Sequence, residues 1–176
     1  PNNRKYVDFF IKLSEHGRTS RFVDFLKKRD KIELFGPLGK FTVRENSENK
    51  DIVFLSSGTG ITTFVSMIPS LLAGEFSKKI VLLKGFRNEE DILYEKESLE
   101  LRKKHKNFEF HNILSQPKDK NFSDKGYVQD FLAKYIPKSF KGDFYICGLK
   151  EMVGDARKKL LGMGVSDERI FFENYD

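Results

Sequence analysis

Four short apolar runs, each separated from the next by a helical stretch, constrain this chain more than any other feature. Residues 51–55 (DIVFL), 79–84 (KIVLLK), 108–114 and 143–147 read as strands, and the first two are apolar without interruption, as in strands buried on both faces. Between them lie a glycine turn at 57–60, helical spacing at 62–72, a charged amphipathic stretch at 89–104 and a helix at 128–135. Pro69 is expected to kink the first of these helices. A last helix over 150–163 stops at Gly164, and Phe171-Phe172 should close the sheet. Alternation of this kind specifies an α/β fold, a doubly wound parallel sheet with helices on both faces. Such a sheet needs a large apolar supply, and 39% apolar and 14% aromatic residues provide it.

The first fifty residues follow a different rhythm. Residues 5–13 (KYVDFFIKL) are aromatic and β-branched and read as a strand; 15–20 break it, and Phe22, Val23, Phe25 and Leu26 recur at helical spacing. A second strand is expected at 31–35, closed by Gly36-Pro37-Leu38-Gly39, and a short third one at 41–43. Residues 44–50 (RENSENK) contain no apolar side chain and read as a linker, so 1–46 and 51–176 are expected to belong to different domains.

Several function classes drop out. The lone Cys147 forms no internal disulfide, which leaves a reducing, cytoplasmic setting as the expectation. The longest apolar runs hold four residues, far short of the roughly 20 a membrane span requires. His16, His105 and His111 lack metal-ligand spacing, and no G-x-S-x-G elbow is present. A net charge of +6 raises nucleic acid, but the main basic cluster, residues 102–106, reads as the solvated end of a helix. An anionic ligand or an acidic protein partner suits that charge better.

Ser56-Ser57-Gly58-Thr59-Gly60-Ile61 joins a buried strand to a helix, where glycines admit a ligand close to the backbone and free N–H groups attract a pyrophosphate. An ordinary strand-to-helix turn is the alternative, since position 63 carries Thr63 and not a third fingerprint glycine. Tyr145-Ile146-Cys147-Gly148 ends a later strand of the same sheet, so Cys147 either faces the same crevice or is a small buried core residue. Gly17-Arg18-Thr19-Ser20 precedes a helix and either seats a second phosphate or caps that helix through a hydroxyl. Arg87, just past the second strand, is either a contact to an adenosine group or a surface residue.

Taken in order, these segments resemble the ferredoxin-NADP reductase-like flavoprotein family. Gly17-Arg18-Thr19-Ser20 is similar to its G-x-x-S element and residues 36–41 to its G-P-x-G-x-F turn. Residues 58–64 are similar to G-T-G-I-A-P-F, 85–87 to G-x-R, 91–94 to D-x-L-Y, and Tyr145 to Val153 to Y-x-C-G-P-x-x-M-V. Phe172-Glu173 resembles the terminal aromatic and acidic pair. Thr63 and Leu149 stand where the family has proline, and the family's R-x-Y-S/T element would stand immediately before Pro1.

The resemblance implies the latter part of an antiparallel FAD-binding β-barrel over 1–46 and an NAD(P)-binding domain over 51–176. It implies that Gly17, Arg18, Thr19 and Ser20 hold the FAD pyrophosphate, and that Gly58, Thr59, Gly60, Ile61 and Thr62 hold that of the nicotinamide dinucleotide. Arg87 would lie near the adenosine; Cys147 and Gly148 would border the nicotinamide where hydride leaves, Leu149 and Met152 would belong to the same cofactor-binding set, and Glu173 would sit near the reacting rings, with Cys147 and Glu173 as the catalytic residues. The implied activity is hydride transfer from NADH or NADPH to FAD, and electron transfer onward to a protein or soluble acceptor. An acidic electron carrier or a fused or partner redox domain would receive the electrons, with no nucleic acid involved. The alternative is a non-catalytic or partner-completed nucleotide-binding subunit. Gln116 follows Ser115 where NADP-preferring members often carry arginine, which favours NADH, although Lys118 and Lys120 stand nearby.

Overall fold

The computed structural model describes residues 7–36, 38–74, 76–137 and 139–175. They form two compact units divided between Lys40 and Phe41. In the larger unit, β1 (Ile52–Ser57), β2 (Ile80–Phe86), β3 (Phe108–Leu114), β4 (Asp143–Leu149) and β5 (Ile170–Tyr175) build one sheet. Every neighbouring pair is parallel, and the order is β3-β2-β1-β4-β5. The chain therefore winds outward from β1 to β3, returns to the centre, and winds outward again through β4 to β5. That reversal leaves a crevice at the carboxyl ends of β1 and β4.

Successive strand residues point to opposite faces, so an uninterrupted apolar run feeds two cores. Val53, Leu55, Val81, Leu83, Phe144 and Ile146 pack on one side, against Leu132 and against Val153, Ala156 and Leu160. The last three lie on α5 (Lys150–Gly162), while Leu132 begins the short α4 (Leu132–Tyr135). Ile52, Phe54, Ile80, Leu82 and Tyr145 pack on the other side against Ile61, Phe64, Ile68 and Leu72 of α2 (Ile61–Ala73). Each such fully buried side chain contributes about 1.5–3 kcal/mol, so the two layers supply the main favourable contribution that opposes the chain-entropy cost of forming the sheet.

The amino edge of the sheet is tied to the segment before it. Ser47 Oγ donates to Asp143 Oδ2 at 2.7 Å and lies 2.7 Å from the Tyr145 hydroxyl, which accepts from Arg44 N at 2.9 Å. Lys50 Nζ pairs with the buried Asp143 at 3.1 Å. Phe41 packs 6.1 Å from Tyr145 and 6.3 Å from Phe64 rather than pairing as the short strand expected at 41–43.

Other boundaries shift for visible reasons. α2 continues four residues past Pro69, because Ile68 and Leu72 are buried on either side of it. The helix expected over 89–104 divides into a 3-10 turn, Glu89–Asp91, and α3 (Glu95–Lys104), separated at Tyr94 by a left-handed φ of 53°. The helix expected at 128–135 begins as a 3-10 turn, Val128–Phe131, before α4.

The smaller unit contains α1 (Arg18–Phe25). Among its described residues, 7–13 and 31–35 form none of the strands that the sequence pattern and the implied barrel lead one to expect. Lys5, Tyr6 and Pro37 lie outside the described residues. A strand persists only when a neighbour supplies its hydrogen-bond partners. Phe9, Leu13, Leu34 and Phe35 are exposed here, Phe35 to 91%.

Candidate functional site

β1 ends at Ser57, and Gly58–Gly60 turns the chain into α2. A Cβ at Gly60 would stand 2.2 Å from the Cys147 carbonyl oxygen and 2.6 Å from its carbon, so only glycine lets this turn lie on the end of β4. Gly148 has φ +153°, and a Cβ there would meet Ser57 Oγ at 2.2 Å. That same Ser57 oxygen accepts from Leu149 N at 3.2 Å. Two strand ends separated by some ninety residues are thus locked together at the switch point of the sheet.

The turn itself faces outward. Nothing lies within 4 Å of the position a Cβ would take at Gly58, while Thr62 Oγ1 bonds back to the Thr59 carbonyl at 2.8 Å. No side chain caps the N-terminus of α2, and no acidic residue stands in its first turn. The helix therefore turns the positive end of its dipole to this space without a side-chain cap, which suits a pyrophosphate, while the Ile61 N–H is taken by the Thr59 carbonyl.

Cys147 lies in the same place but is fully buried, on the α2 side of the sheet. Its Sγ is 3.4 Å from Thr63 Oγ1, which in turn is 3.0 Å from the Tyr175 hydroxyl. Glu173, partly buried on β5, stands beside Cys147 in the strand register, and Met152 is buried in the first turn of α5. Of the two possibilities for Cys147, the structure shows the buried core residue, near the carboxyl end of β4.

Burial pushes the Cys147 thiol above its usual range, against the opposing hydrogen bonds of Thr63 and Tyr175. The folded state then holds a proton that the unfolded state has released, so stability falls as pH rises through the ordinary thiol range toward the raised value. Alkylation by iodoacetamide should accordingly be slow in native protein at pH 8 and rapid after denaturation in urea. Equal rates in the two states would contradict this environment.

At the other end of the crevice, Arg87 Nε donates to Gln116 Oε1 at 3.1 Å. The loop after β3 is held by the turn after β2: Glu89 accepts from the backbone N–H groups of Lys118 and Asp119 at 2.9 and 3.0 Å. These bonds hold the Glu89 carboxyl below its usual range. Lys118 Nζ pairs with Glu90, which answers its positive charge.

Of the residues singled out in the sequence, Gly58, Thr59, Gly60, Ile61, Thr62, Cys147, Gly148, Leu149, Met152 and Glu173 gather at the carboxyl ends of β1, β4 and β5, with Arg87 at the end of β2. Gly17, Arg18, Thr19 and Ser20 belong to the smaller unit. There Gly17 is the N-cap of α1 without a side-chain bond, and buried Ser20 Oγ accepts from Ser14 N at 2.8 Å. The hydroxyl capping bond considered for Thr19 or Ser20 is not formed, because the Ser20 hydroxyl turns back to residue 14. Tyr175 and Glu89 were not expected from the sequence, and Ser57 was read only as part of the turn, because each acts on a residue far along the chain. An apolar cavity of about 180 Å³ between α2 and α3, lined by Phe64, Ile68, Leu82, Leu101 and Phe108 among others, lies along the helix flank and not at the strand ends.

Residues 54–158 match the model of the oxidoreductase NAD-binding domain. The chain is 31% identical over 181 residues to the reductase component of phenol 2-monooxygenase from Pseudomonas sp. (strain CF600), covering 99% of this chain and 50% of that protein. It is 39% identical over 139 residues to NADH-cytochrome b5 reductase 1 of Dictyostelium discoideum, covering 77% and 46%. Among solved structures, ferredoxin-NADP+ reductase from Plasmodium falciparum with 2'P-AMP superposes with a TM-score of 0.73 at 26% identity, over 90% of this chain and 66% of that one. The chain spans about half the length of the curated relatives it matches.

Proposed function

Since this chain belongs to the ferredoxin-NADP reductase-like family through its oxidoreductase NAD-binding domain, we propose that it takes hydride from a reduced nicotinamide dinucleotide. The electrons then pass by way of FAD to a protein or soluble acceptor. The observation that carries this is the lock of Gly60 against Cys147 and Gly148 beside an uncapped, outward-facing helix terminus. Residues 51–176 act as the nucleotide domain and 1–46 as the latter part of the flavin domain. The bound flavin supplies the chemistry of accepting hydride. Gly58 to Thr62 orient the dinucleotide by its pyrophosphate, and Arg87 stands near its adenosine. Gly148, Leu149, Met152 and the rim of Cys147 border the nicotinamide, with Glu173 near the reacting rings. Gly17 to Ser20 contribute to the flavin pyrophosphate. The protein supplies position and a dry wall more than acid or base.

The dinucleotide is NADH. Gln116 places a neutral amide where NADP-preferring members of the family often carry arginine, its oxygen is engaged by Arg87, and Lys118 is paired with Glu90. Titration with both dinucleotides should give at least about tenfold tighter binding of NADH, and equal affinities would refute the preference. The lone thiol suits a reducing compartment such as the cytoplasm, and among the described residues no helix is long and apolar enough to cross a membrane. An acidic carrier or redox domain fits the +6 charge as the next electron acceptor.

One observation favours a second reading. Residues 7–13 and 31–35 carry strand-like patterns without strand pairing among the described residues. That suits a nucleotide-binding subunit whose flavin half is completed by further polypeptide. Visible absorption separates the two. A flavin spectrum bleached by NADH supports the reductase, a colourless protein that binds NADH supports the completed subunit, and absence of nucleotide binding overturns both.

A further inference from the structure

Lys84 is a lysine with a fully buried side chain in the middle of a parallel sheet. Its Nζ donates to Glu95 Oε2 at 3.0 Å, to Ser98 Oγ at 3.2 Å and to the Leu93 carbonyl at 3.4 Å, and lies 4.6 Å from the centre of the Phe110 ring. All three acceptors belong to the segment that enters α3. Ser98 Oγ passes the contact on, donating to the Tyr94 carbonyl at 2.7 Å, and Asn112 Nδ2 on β3 donates to the same Glu95 oxygen at 2.9 Å.

An ammonium in an apolar layer costs more in desolvation than a well-packed apolar side chain of the same length. Burial indeed draws the Lys84 ammonium below its ordinary range, although Glu95 opposes that shift. Stability alone therefore does not account for a lysine here. What the lysine fixes is the path of the chain between β2 and α3. That path carries the left-handed Tyr94 and, just before it, the 3-10 turn Glu89–Asp91. Glu89 of that turn holds the backbone of Lys118 and Asp119, next to Gln116 and its partner Arg87.

We propose that Lys84 is a positioning residue for the adenosine side of the dinucleotide site, acting through Glu95, Ser98 and Leu93 on the turn whose Glu89 fixes the loop after β3. This rests on the function proposed above. It assigns Lys84 no contact with the dinucleotide. The prediction is a split between the two halves of the ligand, which a residue that merely stabilises the fold would not produce.

The test is Lys84→Met in the full chain, measured by calorimetric titration with ADP-ribose and with reduced nicotinamide mononucleotide, alongside thermal unfolding. Methionine has a similar length and suits the apolar layer, and Glu95, whose side chain is 40% exposed, can be solvated once released. The melting temperature should stay the same or rise, ADP-ribose should bind about tenfold more weakly, and the mononucleotide should bind as before. Unchanged ADP-ribose affinity overturns the proposal, as does an equal loss for both ligands. If Lys84→Met does not fold, Ser98→Ala removes one of the same three acceptors while leaving Glu95 to pair with the buried ammonium, and should give the same split in smaller measure. If the unaltered protein binds neither ligand, the proposed function falls and this inference with it.

Discussion

Gly60→Ala should weaken NADH binding by roughly 100-fold, equivalent to about 2.7 kcal/mol, and destabilise the fold by about 3 kcal/mol, the upper end of overpacking costs. The added methyl would stand 2.2 Å from the Cys147 carbonyl oxygen and 2.9 Å from the Gly148 Cα. Both are backbone atoms of a central strand, so neither side can yield by rotating a side chain. Relief requires parting the β1 turn from the end of β4, which would move the turn proposed to hold the pyrophosphate away from the proposed nicotinamide rim. Gly154→Ala is the control. It lies inside α5 with open space where the methyl would go, and should stabilise by about 0.5–1 kcal/mol with no change in affinity. Urea unfolding and isothermal titration of the two variants measure both effects.

Asp143→Ala should cost about 1–3 kcal/mol of stability, or some 2–12 °C in melting temperature for a chain of this size, while leaving NADH affinity in the folded protein unchanged. Asp143 is fully buried, accepts from Ser47 and pairs with Lys50, and Arg169 Nε stands 3.8 Å away. Removing the carboxylate leaves Ser47 Oγ with the Tyr145 hydroxyl alone, Arg169 with the carbonyls of Phe140 and Gly142, and the partly exposed Lys50 to solvent. The site lies at the far end of the same strand, with Cys147 about 13 Å along it. Asp143→Asn keeps an oxygen acceptor and should recover part of the loss. A melting temperature within 2 °C of wild type for Asp143→Ala would show that this anchor contributes little.

The α/β architecture was legible because each central strand must bury both faces and so spells itself as an uninterrupted apolar run. Ser56 to Ile61 and Tyr145 to Gly148 were legible as strand ends for the same reason, and the topology brings them together. What escaped was set by partners distant in sequence. Lys84 reads as the polar end of a strand, yet β2 continues to Phe86 because Gly85 and Phe86 pair with Ile113 and Leu114, and because Glu95 and Ser98 receive the ammonium. Tyr94 sits in what looks like unbroken helical spacing, and only its left-handed backbone shows that α3 starts afresh at Glu95. The strand patterns before residue 44 are legible as patterns only, since pairing depends on a neighbouring edge that the pattern does not name. Among the site residues, Thr63 stands out in the sequence for not being proline. Its bonds to Cys147 and Tyr175 span 84 and 112 residues, beyond any local signal.

The central claim is that the carboxyl ends of β1 and β4 bind a reduced nicotinamide dinucleotide. Calorimetric titration of the purified full chain with NADH, for wild type and Gly60→Ala in parallel, tests it most directly. Saturable one-to-one binding by wild type, weakened on the order of 100-fold in the variant, is the predicted result. No binding by wild type, or equal affinity in a folded Gly60→Ala protein, would contradict the claim.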